Sequence, residues 1–154
     1  MTANSVSQGP MRLTPYIIVK GADKAIAFYT KVLGAKEEYR LAGPDGRIGH
    51  AELTIGDGGI MLADESPSFG ALSPPSIGGT PVKLHLRVAD VDDVIKRAAA
   101  EGATVLRPAQ DQFHGERSGM IADPFGHQWF LSTPTVQVSP KEMQQRYDES
   151  FKAG

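Results

Sequence analysis

The chain repeats its own order of elements, and that repeat limits the fold more than any other feature of its 154 residues. A first unit opens on LTPYIIV (Leu13 to Val19), passes through a helical stretch ending at Gly34 and closes on GRIGHAELTIGDGGIMLADE (Gly46 to Glu65). A second opens on VKLHLRV (Val82 to Val88), passes through a helical stretch ending at Gly102 and closes on GERSGMIADPFGHQWFLSTP (Gly115 to Pro134). Val19 falls on Val88, Ile26 on Ile95, Gly46 on Gly115 and Leu62 on Leu131, all at an offset of 69. Identities are sparse, so the shared order of elements carries the repeat.

Each unit reads as strand, helix, then three strands. Ile17 and Val19 alternate with Tyr16 and Ile18 at a period of two, whereas Ala25, Ile26, Phe28, Tyr29, Val32 and Leu33 make a helical stripe stopped by Gly34. In the second unit Leu84, Leu86 and Val88 alternate with Lys83, His85 and Arg87. Asp90 is placed to N-cap a helix over 91–101, with Gly102 as its terminator. Short strands over 37–41 and 104–107, and hairpins turning at Gly56-Asp57-Gly58-Gly59 and Asp123-Pro124-Phe125-Gly126, complete two βαβββ modules.

The expected fold class is therefore α+β, two βαβββ modules that each form a mixed sheet with a helix, plus a C-terminal helix. Residues 1–10 read as a flexible leader, 11–64 as the first module, 65–81 as a Ser-, Pro- and Gly-rich crossover, 82–134 as the second module and 135–154 as the C-terminal helical segment. Ser139-Pro140-Lys141-Glu142 is a capping box with Pro at the first helical position. It predicts a helix over 140–151 whose Met143, Tyr147 and Phe151 dock on the body or on a second chain.

Composition then narrows the chemistry. With Cys 0 there is no disulfide, thiolate nucleophile or sulfur-ligated metal, so any metal needs nitrogen and oxygen ligands. The available imidazoles are His50, His85, His114 and His127. Sixteen basic residues against 18 acidic ones, without a basic run, argue against nucleic acid and anionic membrane as partners. No segment approaches the roughly 18 apolar residues of a membrane span, and the expected location is cytoplasmic.

Four motifs carry a resemblance: F-Y-x-x-V-L-G-A at Phe28 to Ala35, G-H-A-E-L at Gly49 to Leu53, G-x-R-x-G at Gly115 to Gly119 and D-P-F-G-H-x-W at Asp123 to Trp129. With the paired βαβββ units, the chain resembles the vicinal oxygen chelate superfamily of glyoxalase I, bleomycin-resistance proteins, fosfomycin-resistance enzymes and extradiol dioxygenases. Within it the PhnB-like subgroup is most similar. The resemblance implies that each half-sheet curls into a trough with its helix outside, that paired modules enclose a pocket, and that the protein is a homodimer whose pockets combine units from two chains. Strand alternation then sets Ala51, Leu53, Ile55, Ile60, Leu62, Leu84, Leu86, Val88, Trp129 and Leu131 against the helices. It turns Tyr16, His50, Glu52, Thr54, Met61, Lys83, His85, Arg87, Gln128 and Phe130 toward the troughs.

Metal-dependent members usually place four ligands on the first and last strands of the modules. The matching positions here are Thr14, Met61, Lys83 and Phe130, none of them a ligand for a hard metal. An ammonium at Lys83, about 5 Å from a divalent ion at an effective dielectric of ~20, opposes binding by about 6 kcal/mol. The resemblance thus implies a protein that binds a small aromatic or anionic molecule without cofactor, through Tyr16, Met61, Lys83, His85, Gln112, His114, Arg117 and Phe130. Two enzyme readings stand beside it. One is a divalent-metal-dependent lyase, isomerase or dioxygenase on a displaced His50, Glu52 and His85 site. The other is a metal-free acid–base enzyme in which Glu52 or His50 is the catalytic base and Lys83 steadies an enolate. Asp123 is expected to accept turn amides and to pair with Arg117, His127 to hold the turn, and Trp129 to lie in the core.

Overall fold

The computed structural model describes residues 7–152. The first module contains β1 (Tyr16–Val19), α1 (Ala22–Leu33), β2 (Lys36–Ala42), β3 (Ile48–Ile55) and β4 (Gly58–Asp64). The second contains β5 (Lys83–Arg87), α3 (Val91–Ala100), β6 (Thr104–Asp111), β7 (Glu116–Ala122) and β8 (Gln128–Pro134). A 3-10 turn (Pro67–Phe69) and one turn of helix, α2 (Pro74–Ile77), lie between them, and α4 (Pro140–Ser150) closes the chain. The two four-stranded sheets have the same topology, β1-β4-β3-β2 and β5-β8-β7-β6. In each, the first strand lies parallel to the last and all other neighbours are antiparallel. The α+β expectation of two mixed-sheet modules is met. Of the predicted leader, residues 7–10 are irregular and exposed, and 1–6 lie outside the described residues.

The repeat also holds in hydrogen bonds that keep the same offset. Oδ1 of Asp64, at the end of β4, accepts from the amides of Gly21 and Ala22 at 3.0 and 2.8 Å. At the equivalent position of β8, Thr133 Oγ1 accepts from the Val91 amide at 2.9 Å. In both modules the last strand satisfies amides at the start of its own helix. This helps explain why the first and last strands lie side by side. Gly21 takes a left-handed conformation, φ 86°, with no side chain to cap α1, so Asp64 supplies the acceptor. Asp90 caps α3 as expected, accepting from the Asp93 amide.

The period-two alternation of β3, β4 and β8 sorts their faces as the sequence suggests. Ala51, Leu53, Ile55, Ile60 and Leu62 are buried against α1, while His50, Glu52, Thr54 and Met61 on the opposite face stay half-exposed. Trp129 and Leu131 join the same apolar cluster.

The modules meet through their helices and the β7–β8 turn, and a buried carboxylate fastens the joint. Asp123, 4% exposed, accepts from the Tyr29 hydroxyl at 2.5 Å and Trp129 Nε1 at 2.9 Å on Oδ2. Its Oδ1 accepts from the amides of Phe125 and His127. His127 adds a second tie, its ring Nε2 donating to the Ile18 carbonyl at 2.8 Å. Lys31 and Glu101 close the far end at 2.6 Å.

Glu65 organises the crossover between the modules. Glu65 Oε1 accepts from the Ser73 amide and hydroxyl at 2.7 and 2.9 Å. The Ser76 hydroxyl, then the Ser73 amide, hold its carboxyl down at about 2. The C-terminal helix forms where the capping box predicts, Ser139 Oγ accepting from the Glu142 amide. It buries none of its residues. Arg146 donates to the Phe113 carbonyl at 2.7 Å and the Tyr147 ring lies beside Phe113, so the helix docks on the β6–β7 loop. Phe151 stays 70% exposed against Tyr147 and does not reach the body. Among the described residues no helix is long and apolar enough to cross a membrane.

Candidate functional site

Each sheet turns one face to its helix and leaves the other open, and the candidate site residues divide between these two open faces. On the first, a hydrogen-bonded chain crosses from β1 to β2. The Tyr16 hydroxyl lies 2.9 Å from His50 Nδ1, His50 Nε2 lies 3.4 Å from Glu52 Oε1, and the Tyr39 hydroxyl donates to that oxygen at 3.0 Å. The Tyr16 and Tyr39 rings stand 5.4 and 5.7 Å from the His50 ring. Burial raises the Tyr16 phenol above its ordinary range, and the hydrogen bond to Glu52, then burial, raises that of Tyr39. Both phenols are neutral near pH 7. Beside them, Thr14, Glu52, Thr54 and Met61 line a cleft of about 370 Å³ that also reaches Arg12 and Glu38.

The second face is cationic. Lys83, His85 and Arg87 alternate along β5 with Leu84 and Leu86, which pack on the core. His85 Nε2 contacts Ser132 Oγ at 2.9 Å and its ring lies 5.1 Å from Phe130. Met120, paired with Phe130 on β7, is the buried floor. At the rim, His114 stands 3.4 Å from Glu116 and shares with Arg87 a cleft of about 430 Å³. Gln112 begins the same loop, its side chain reaching back to the Gln110 carbonyl.

Tyr16, Met61, His50 and Glu52 therefore come together on one face, and Lys83, His85 and Phe130 on the other. Among the described residues no hydrogen bond, ion pair or ring contact joins the two faces within the chain. His85 does not approach His50 and Glu52, and the paired modules do not close into a barrel around a common pocket. Arg117 corrects another expectation. It pairs with Asp92 through Nε and Nη2 at 2.7 and 3.0 Å, and with Asp111 at 3.2 Å. Asp123 is saturated by Tyr29, Trp129 and two amides, and has no lone pair left for a guanidinium. Both carboxylates hold the Arg117 guanidinium charged, so it fastens α3 to the sheet as Arg40 fastens α1 through Asp23.

The profile of the Glyoxalase/Bleomycin resistance protein/Dioxygenase superfamily matches residues 11–131, from before β1 into β8. The chain belongs to this superfamily. An uncharacterized protein of Mycobacterium bovis is 44% identical over 135 residues, covering 86% of this chain and 89% of its own length. Among solved structures, TioX of a Micromonospora species superposes with a TM-score of 0.62 at 26% identity, covering 84% of this chain and all of its own. A PhnB protein of Bacillus cereus gives 0.63 at 18% identity, covering 80% and 99%.

The positions that the resemblance matches to metal ligands carry no donor set suited to a hard metal. Thr14, Met61, Lys83 and Phe130 offer one weak oxygen, one thioether, one cation and one hydrocarbon ring. Among the described residues no three imidazole or carboxylate side chains converge. One residue of the first face, Tyr39, had no sequence signal. The β2–β3 register shifts between Glu37 and Tyr39, so simple alternation along β2 does not assign its face.

Proposed function

We propose that this superfamily member binds a small aromatic or anionic molecule without a resident metal, as a homodimer in which the first face of one copy meets the second face of another. The fate of His50 and Glu52 carries the reading. Both ring nitrogens of His50 are engaged, by Tyr16 and by Glu52, and Glu52 also accepts from Tyr39. This pair is built into a polar wall and is not poised around an ion.

The faces suit one another across copies. The first is aromatic and acidic, with Tyr16 48% and Tyr39 45% exposed, and the second presents Lys83, Arg87 and the Phe130 ring. A ligand between them has rings on either side and Lys83 and Arg87 for an acidic group. Within the superfamily the PhnB-like subgroup is the proposed assignment, supported by one structural neighbour, the PhnB protein of Bacillus cereus.

Calorimetric titration with a panel of aromatic carboxylates tests the reading. Saturable binding that survives EDTA is expected, weakened about tenfold by Lys83→Ala or Arg87→Ala. Sedimentation is expected to give twice the chain mass. Binding abolished by EDTA, or a monomer at every concentration, would overturn it.

A further inference from the structure

Hydrogen-bond accounting on the first face leaves acceptors exposed and uses up the donors between Tyr16 and Tyr39. A carboxylate only accepts, so the His50 nitrogen facing Glu52, Nε2, carries the imidazole proton, and Nδ1 accepts from the Tyr16 hydroxyl. The Tyr39 hydroxyl proton goes to Glu52 and the Thr54 hydroxyl proton to Glu38 at 2.8 Å. The phenol oxygens, the Glu52 carboxylate and the faces of two tyrosine rings remain open. Lys36 stands 3.7 Å from Glu38, whereas among the described residues no Lys or Arg lies within ion-pair distance of Glu52. Arg12 and Thr14 line the adjoining cleft and hold no ion pair or hydrogen bond with Glu52 among the described residues.

We propose that this face recognises a hydrogen-bond-donating organic cation: an amidinium or ammonium group that donates to Glu52 and the Tyr16 oxygen, with its apolar body on the Tyr16 and Tyr39 rings. The inference rests on the reading of the open faces as ligand surfaces and names what the first of them selects. A ligand bearing only acceptors would set them against the acceptors of Tyr16, Glu52 and Tyr39. A cation gains a charge-assisted bond to Glu52 and attraction to the ring faces. With Lys83 and Arg87 on the opposing face, a ligand with a cationic and an acidic end satisfies both.

Three probes of one shape separate charge from shape: benzamidine, benzamide and benzoate. They are titrated into the full-length protein while the ring resonances of Tyr16 and Tyr39 are followed by NMR. Benzamidine is expected to shift both and to bind at least about tenfold more tightly than benzamide. Benzoate, drawn to Lys83 and Arg87 on the opposing face, is expected to bind with an affinity that Glu52→Gln does not weaken. Glu52→Gln is expected to erase the preference for benzamidine with an unchanged melting temperature, and Tyr39→Phe, which removes one hydroxyl from Glu52, to weaken it less. Equal affinity for benzamidine and benzamide, or a preference that persists in Glu52→Gln, would overturn the cation assignment and leave the ligand-binding reading standing. No saturable shift with any of the three would overturn both.

Discussion

Asp123→Ala is expected to lower the unfolding free energy by about 3–5 kcal/mol, because it strips several buried donors of their acceptor. Four donors converge on this carboxylate: the Tyr29 hydroxyl, Trp129 Nε1 and the amides of Phe125 and His127. Truncation leaves the hydroxyl and the indole N–H buried without an acceptor, each costing about 1–3 kcal/mol. For a domain of this size the loss corresponds to a fall of about 10 °C in melting temperature. Burial, then the charge of Asp123, holds the Tyr29 phenol well above its ordinary range, so it stays a neutral donor throughout the working pH range. Tyr29→Phe removes one bond and leaves the other three, and is expected to cost about 1–2 kcal/mol. Since Tyr29 comes from α1 and Asp123 from the β7–β8 turn, both losses loosen the joint between modules. Urea unfolding of the two variants checks the magnitudes. A change under about 1 kcal/mol for Asp123→Ala would show that the joint is held elsewhere.

Gly119→Val is expected to be a second strongly damaging substitution, costing about 3 kcal/mol through overpacking. A Cβ at Gly119 would stand 2.5 Å from Ile95 Cδ1, 2.9 Å from the Arg107 carbonyl oxygen and 3.1 Å from the Ala109 amide nitrogen. The isoleucine methyl can rotate away, but the backbone of β6 cannot without breaking its ladder with β7. The first module shows that the constraint is local. Gly119 pairs with Leu131 as Ala51 pairs with Leu62, and Ala51 is fully buried without difficulty. Ala51→Gly is expected to cost only about 1 kcal/mol. Thermal unfolding of the two variants side by side tests this asymmetry, and equal losses would contradict it.

The faces of β3 and β4 are legible in the sequence because strand alternation is a local property. His50, Glu52 and Thr54 can only be on the side opposite Ala51, Leu53 and Ile55, whatever the rest of the chain does. The bidentate partner of Arg117 is not local. Asp92 lies on another element, 25 residues away, and the nearer candidate Asp123 is occupied by groups from both modules. Tyr39 escapes notice because a register shift breaks the alternation of β2. Whether two troughs face each other depends on how the modules pack. That is decided by the contact of α1 with α3 and by Asp123, and no periodicity records it.

The central claim, that the superfamily fold here receives a ligand without a resident metal, is tested most directly by metal stoichiometry. Untagged protein is incubated with Mn(II), Ni(II) or Zn(II), dialysed, and its metal content measured by elemental analysis. With Thr14, Met61, Lys83 and Phe130 at the corresponding positions and His50 committed to Tyr16 and Glu52, less than about a tenth of an equivalent is expected to remain. Retention of close to one equivalent per chain, lost on His50→Ala, would contradict the account.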